Sequence, residues 1–450
     1  MEERIFPRLG ETADAVAFGS HSADEVQPMQ IGVYGAGHLG TVIASCVADF
    51  GIPVTCFEED VAHVTAMAKG DVPYYERNLN EMLRRNIRAG RLVYSTELQS
   101  FARRANVIYL AEDSNSYLED LAAKLAPFAS PGAMLVIATS APVGTASRIE
   151  ARLRAIGSEM AVVSHPVFLT DGCAIEDFNW PDRILLGTAS AQAVMTLKQI
   201  YRPVVMRGVP VIVTNFETAE LAREAATAFC ATKISFINEL ATLCERVNAD
   251  AVDLALALGL DKKIAPRCLQ PGAGFGGPFA ESQMESLAQL ARGKGVNLKI
   301  LAAAREVNYS LSDCLTDKIA SVLDTLSGKE VGVLGLAFKP NTNSVAGSSS
   351  IMLVRSLTQR GAVVRAYDPV ALPGAMRELE DSVRFCDSAY AALELADALV
   401  VGTGWPEFRA LDFERVRRIL KRPIIVDTKN LLDSERLRSM GFQYVGMGRA

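Results

Sequence analysis

The sequence predicts an α/β protein: two Rossmann-like, doubly wound domains joined by a long central helix within a helical dimerisation domain. Three observations carry this. From residue 29 short apolar runs alternate with amphipathic stretches, the pattern of a parallel sheet covered on both faces. The segment Phe216–Asn248, free of glycine and proline and rich in Ala, Leu and Glu, then interrupts the alternation. A second strand–turn unit opens at Glu330-Val-Gly-Val-Leu-Gly335-Leu-Ala, and the alternation resumes.

Residues 1–28 are mixed and weakly patterned and read as an N-terminal extension. Residues 29–214 form the expected first Rossmann-like domain. Gln30–Tyr34 reads as a strand, Leu39–Asp49 as a helix, Pro53–Phe57 as the next strand and Leu79–Arg88 as a helix. Val107–Leu110, Met134–Ala138 and Ala161–Val163 read as further buried strands. Residues 215–325 form the expected central helical domain. Its long helix begins near Thr218 and Glu220, helix continues at Ala251–Leu258, Pro271–Pro278 breaks the pattern, and Ser282–Gly293 resumes it. Such a helix between two α/β units carries a homodimer interface or serves as a linker packed within one chain, and both readings stand at this point. Residues 326–450 form the second α/β domain, with strands at Val363–Tyr367, Ala398–Val401 and Ile424–Val426.

Composition narrows the function classes. The chain of 450 residues is 49% hydrophobic and 22% charged, with a net charge of -6. That balance supplies no basic footprint for nucleic acid or a membrane surface. No apolar run approaches the ~18 residues of a membrane span. The first residues lack the basic start and apolar stretch of a secretory signal, so a cytoplasmic location is expected. The eight cysteines form no CxxC pair, and His21, His38, His63 and His165 are scattered. Buried, reduced thiols and no metal site are the expectation.

The segment that carries chemistry is Gly35-Ala-Gly37-His-Leu-Gly40, after a strand and at the opening of a helix. Gly35 permits the tight turn, Gly37 lets a pyrophosphate approach the backbone, and Gly40 lets helix and strand pack closely. The second strand ends at Glu58, ~20 residues further on, where an acid binds ribose hydroxyls. No Arg follows to take a 2′-phosphate, so NAD is expected rather than NADP.

With that motif placed, residues 30–430 resemble the UDP-glucose/GDP-mannose dehydrogenase family. Thr139-Ser-Ala-Pro-Val-Gly-Thr145 is similar to the family's STVPxGT loop by the nicotinamide, and His165-Pro-Val-Phe-Leu-Thr-Asp-Gly172 to NPEFLxEG. Trp180-Pro-Asp-Arg-Ile-Leu-Leu-Gly187 resembles DPxRIVxG, and Ala231-Thr-Lys-Ile-Ser-Phe-Ile-Asn-Glu239 the central helix. Gly335-Leu-Ala-Phe-Lys-Pro-Asn-Thr342 and Ala366-Tyr-Asp-Pro369 resemble the C-terminal nucleotide-sugar domain. The resemblance implies an NAD cofactor held by Gly35, Gly37, His38, Leu39, Gly40, Glu58, Ser140, Pro142 and Asp171. It implies a small-molecule substrate, in the family a nucleotide sugar, near Phe168, Leu169, Lys263, Phe275, Gly276, Phe279, Phe338 and Lys339.

The departures from the family are chemical. Its members oxidise a sugar alcohol to a carboxylate in two hydride transfers, trapping the aldehyde on a cysteine of GxGxGGSCFPKD. Aligned without gaps, that cysteine is Phe279, and the Lys and Asp after it are Ser282 and Gln283. Phenylalanine cannot form a thioester, and Cys268 is expected on the far side of the glycine turn. The central-helix Lys and Asn become Arg223 and Thr227. The Glu of NPEFL is Val167, the C-terminal Arg is Ala346, Ser344 replaces an Asp, and the RIG arginine is Lys263. The VGTP loop is altered at Ala111-Glu-Asp-Ser114. The expectation is an oxidoreductase making one hydride transfer, with His165 as general base and Arg223 and Thr227 at the reacting oxygen. His165 as a strand-end cap is the alternative. At the level of the whole chain, the alternatives are a non-catalytic NAD-binding relative or a redox-neutral enzyme with tightly held NAD. The pocket around Phe279, Val167 and Ala346 is expected to be less polar than the family's, for a less charged substrate than UDP-glucose.

Overall fold

The computed structural model describes residues 29–112 and 117–449. The expected extension over 1–28, and Asp113 and Ser114 of the altered loop, lie outside the described residues. The first sheet contains β1 (Ile31–Tyr34), β2 (Val54–Phe57), β3 (Leu92–Ser95), β4 (Val107–Leu110), β5 (Met134–Ile137), β6 (Ala161–Ser164), β7 (Ile184–Gly187) and β8 (Val211–Thr214). Their order is β3-β2-β1-β4-β5-β6-β7-β8. Strands β1 to β6 pair in parallel, and β1, β4 and β5 are buried along their length. These runs are apolar because helices cover both faces. The order reverses between β1 and β4, which opens a crevice at their carboxyl ends.

Strands β3, β7 and β8 were not among the expected elements. β3 and β8 are partly exposed, so their residues neither alternate cleanly nor form a continuous apolar run. The join between β6 and β7 is antiparallel and runs through the single pair Ser164 and Gly187. Side chains reinforce it: Thr188 Oγ1 donates to the Val162 carbonyl at 3.0 Å.

The second sheet contains β9 (Glu330–Leu334), β10 (Val363–Tyr367), β11 (Val383–Phe385), β12 (Ala398–Val401), β13 (Ile424–Asp427) and β14 (Gln443–Gly446), in the order β11-β10-β9-β12-β13-β14. It is parallel throughout and repeats the order of the first six strands.

Between the sheets runs the central helix, Phe216–Val247. It starts earlier than Thr218 because Asn215 caps it, its side chain accepting from the Thr218 N–H at 2.9 Å. Asn248, in the left-handed conformation, ends it. The central helix packs against Ala280–Gly293 and against Lys299–Leu323, a second long helix absent from the sequence expectation. Leu221, Phe229, Phe236, Leu243 and Val247 remain exposed along one run of the central helix. Among the described residues no helix is long and apolar enough to cross a membrane.

Candidate functional site

The glycine turn after β1 is built for close approach. Gly35 has φ +102°, and a Cβ on Gly40 would stand 1.9 Å from the Gly35 carbonyl oxygen. Glycine is therefore required to seat the helix His38–Asp49 against β1, and its N-terminus opens on the crevice. At the end of β2, Glu58 Oε2 accepts from the Ala36 N–H at 3.3 Å, and Oε1 from the Glu59 N–H at 2.8 Å. Glu58 borders a cavity of about 270 Å³ together with Tyr34, Glu59, Glu112, Asp120 and Lys124. Carboxylates there suit ribose hydroxyls and repel a 2′-phosphate. The cradle and the acid fit NAD, the cofactor of this chain.

His38 sits at the helix start, its Nε2 3.1 Å from Glu76 Oε2 and its Nδ1 3.9 Å from Asp171 Oδ1. Glu76 is buried and also accepts from the Gly172 N–H at 2.7 Å and the Ala174 N–H at 3.1 Å. It fastens the glycine-turn helix to the loop after β6. No local signal marks it, because a lone Glu in a loop has no pattern.

Two cavities meet beyond this point. The first, about 540 Å³, runs from His38, Leu39, Ser140 and Pro142 to Arg223, Glu224 and Gln283. The second, about 470 Å³, is bordered by Phe168, Arg183, Thr227, Arg267, Phe275, Gly276, Phe338 and Lys339. Leu169, Asp171, Arg223, Pro278, Phe279 and Gln283 border both. Arg223 and Phe279 therefore stand where the cofactor side meets the substrate side.

Packing sets these positions. Glu220 accepts from the Gly144 N–H at 2.6 Å and the Ala146 N–H at 2.8 Å, so the central helix is tied to the loop carrying Ser140 and Pro142. Arg223 lies 5.6 Å from the Phe168 ring, which Arg183 covers at 3.8 Å. Burial, then Arg183, pulls the Arg223 guanidinium below its ordinary value, though it remains a cation at neutral pH. Among the described residues it forms no ion pair. Asn308 holds the glycine turn by accepting from the Phe275 N–H at 2.9 Å and donating to its carbonyl at 3.2 Å. A Cβ on Gly276 would come within 2.1 Å of the Gly347 carbonyl oxygen, and one on Gly277 within 2.8 Å of the Phe338 ring. The second domain closes directly on this turn.

Several expectations need correction. His165 borders neither cavity and is 3% exposed. Its Nδ1 bonds the Leu185 carbonyl at 2.9 Å and its Nε2 the Tyr201 hydroxyl at 3.0 Å, and burial pushes its pKa down to about 4. It is the cap at the end of β6, not a base. Lys263 is exposed in the turn after Ala251–Leu260 and borders neither cavity, so this chain alone does not bring it to the site. Ala346 is likewise exposed and outside both cavities. The second cavity is not poor in charge, since Arg183, Arg223, Arg267 and Lys339 all border it. Thr227 borders it, but its hydroxyl donates to Gln283 Oε1 at 2.7 Å. The thiols are not uniformly buried: Cys173, Cys230 and Cys314 are exposed, and Cys230 and Cys268 both border the second cavity with Phe279. Helical spacing from Arg223 and Thr227 to Cys230 was the available signal.

Three family models match the chain. They describe the UDP-glucose/GDP-mannose dehydrogenase family's NAD binding domain over residues 29–205, its central domain over 217–310 and its UDP binding domain over 332–434. UDP-glucose 6-dehydrogenase TuaD of Bacillus subtilis (strain 168) is 34% identical over 432 residues, spanning 93% of each chain. UDP-glucose 6-dehydrogenase of Pseudomonas aeruginosa is 35% identical over 443 residues, spanning 94% of this chain and 98% of that protein. Among solved structures, a UDP-glucose dehydrogenase from Pyrobaculum islandicum superposes with a TM-score of 0.85 at 28% identity, covering 96% of this chain and 100% of that one.

Proposed function

From the premise that this chain belongs to the UDP-glucose/GDP-mannose dehydrogenase family, we propose that it is an NAD-dependent oxidoreductase limited to a single hydride transfer between an alcohol and a carbonyl. The observation that carries this is Phe279 in the wall shared by the two cavities, beside Arg223. The side chain offers no nucleophile at the position the family gives to its cysteine, so an aldehyde formed beside Arg223 is not captured by that residue as a thiohemiacetal.

NAD, when bound, supplies the hydride-accepting or hydride-donating ring. Gly35, Gly37, Gly40 and Glu58 would hold its pyrophosphate and ribose, and Leu39, Ser140 and Pro142 border its route toward Arg223. The Arg223 guanidinium stabilises negative charge on the reacting oxygen. Phe168, Phe275, Phe279 and Phe338 supply apolar surface, and Arg183 and Lys339 supply cations for an anionic group, beside Asp171, Asp177 and the Arg267–Asp182 pair. A phosphate-bearing alcohol, of the nucleotide-sugar type named by the matched UDP binding domain, fits this lining better than an uncharged one. The exposed run of Leu221, Phe229, Phe236 and Leu243 recurs every seven or eight residues and supports a homodimer through the central helix.

The test is stoichiometry. Incubation with NAD and UDP- or GDP-linked hexoses should yield one NADH per substrate consumed. Two NADH and a carboxylate product would overturn the reading. No NADH with an isomerised or dehydrated product would mark a redox-neutral enzyme, and no conversion of any kind a binding protein.

A further inference from the structure

The central helix carries a second buried carboxylate besides Glu220, and its setting differs. Both oxygens of Glu220 accept backbone N–H groups. Glu224, one turn later, is 3% exposed. Its Oε1 accepts from the Ser286 hydroxyl at 3.0 Å, and its Oε2 has no hydrogen-bond partner among the described residues. Glu224 borders the first cavity, immediately after Arg223 in the chain. A buried carboxylate oxygen without a donor is costly, and such groups are rare unless something else engages them.

Arg223 holds negative charge but cannot take a proton, and His165 is committed elsewhere. We propose that Glu224 is the proton acceptor of this site. The proposal rests on the oxidoreductase reading above for the identity of the reaction. In the alcohol-to-carbonyl direction the substrate C–H bond breaks, its hydrogen leaving with both electrons to the oxidised cofactor. The C=O bond forms, and the hydroxyl proton passes to the Glu224 carboxylate. Reduction reverses each movement, and Glu224 returns the proton. Ser286, half-buried, donates to Oε1 and fixes the orientation of the carboxylate.

The surroundings favour this role. Burial raises the Glu224 pKa, and the Ser286 hydrogen bond opposes the rise. That places the carboxyl above the ordinary range, where a carboxylate becomes an effective base. The charged groups bordering the same cavity are Arg223 on its own helix, and His38, Asp171 and Glu112 opposite. On the helix Ala280–Gly293 its neighbours are Ser286 and the neutral Gln283, while Glu281 and Glu285 are engaged by Arg305.

Glu224→Gln keeps an oxygen for Ser286 and removes the titration, and its melting temperature, compared with that of the native chain, checks folding. Two measurements decide the matter. By infrared difference spectroscopy of the full chain against Glu224→Gln, a protonated-carboxyl band should titrate above the ordinary carboxylate range and be missing from the variant. A Glu224 that ionises at or below the ordinary range overturns the proposal. With NAD and UDP- and GDP-linked hexoses, Glu224→Gln should lower kcat by about 100-fold or more with little change in KM. The acidic limb of the kcat profile should vanish, and Glu224→Asp should regain part of the rate. A Gln variant that keeps both kcat and the acidic limb reduces Glu224 to a hydrogen-bonding group and overturns the proposal. Failure of the native chain to form NADH with any of these sugars counts against the oxidoreductase reading, and the infrared titration then decides Glu224 alone.

Discussion

The Thr227 hydroxyl donates to the carboxamide oxygen of Gln283 at 2.7 Å, joining the central helix to the helix Ala280–Gly293. Both positions depart from the family residues they match, and the replacements now satisfy each other instead of facing a reactant. The Thr227 hydroxyl proton is spent on this bond, and Arg223 is the cation that stands where the two cavities meet.

Arg223→Met should therefore lower kcat by about 100-fold or more, with cofactor affinity, read by fluorescence titration, unchanged. Arg223→Lys should recover part of the rate, because it restores the cation without the planar fork. Equal turnover for the native chain and the Met variant would remove Arg223 from the reacting centre.

His165 should leave a mark on stability and none on turnover. Its pKa is pushed down to about 4 from 6.5 in the folded chain. Between those values the unfolded chain binds more protons, so stability falls as pH drops from 6.5 toward 4, by about 3 kcal/mol over the whole window. Chemical denaturation across that range should show the slope in the native chain and a shallower one in His165→Asn, with kcat at pH 7 unaltered.

Cys230 should be the most reactive thiol. The neighbouring Cys268 thiol lowers its pKa against the effect of burial, and Lys233, Arg183 and Arg267 add to the lowering. Iodoacetamide at pH 7, followed by peptide mass spectrometry, should label Cys230 well before the exposed Cys173, whose pKa burial raises. Cys268→Ala should slow labelling of Cys230.

Phe236→Glu should weaken self-association. Phe229, Phe236 and Leu243 are 65%, 51% and 52% exposed in the single chain, and a charge among them opposes burial against a second copy. Sedimentation should report a dimer for the native chain and a shift toward monomer for the variant. A native chain that is monomeric at micromolar concentration would return the central helix to its alternative role as a linker.

Much of the backbone architecture was legible where burial imposes a pattern. β1, β4 and β5 are covered on both faces, and the glycine turn is dictated by sterics, so both appear as local patterns. The partly exposed β3 and β8 lack that imprint; β7, buried along its length, and the helix Lys299–Leu323, with Leu311, Leu315, Ile319 and Leu323 buried in a stripe, carry it and were not recognised. In the site, residues inside recognisable motifs, such as Phe279 and Phe338, could be placed from the chain alone. Glu76, Glu224 and Cys230 could not, because partners distant in sequence determine what each faces. His165 shows the converse: a residue type suited to catalysis lies in a motif but points into the packing around Tyr201.

The single-pair join of β6 to β7 gives the first domain a load path that its sheet diagram hides. Backbone hydrogen bonds carry force evenly from β3 across to β6, yet only Ser164 and Gly187 continue that ladder. Beyond it, force passes through the imidazole of His165 to Leu185 and through the Thr188 hydroxyl to Val162. The wing formed by β7 and β8 leads directly into the central helix. The alignment of that helix with the cofactor half therefore rests on the shared core of Ile184, Leu186, Leu197 and Tyr201 and on the Glu220 tie rather than on a continuous backbone ladder, so a core substitution remote from both cavities can tilt Arg223 without touching a ligand.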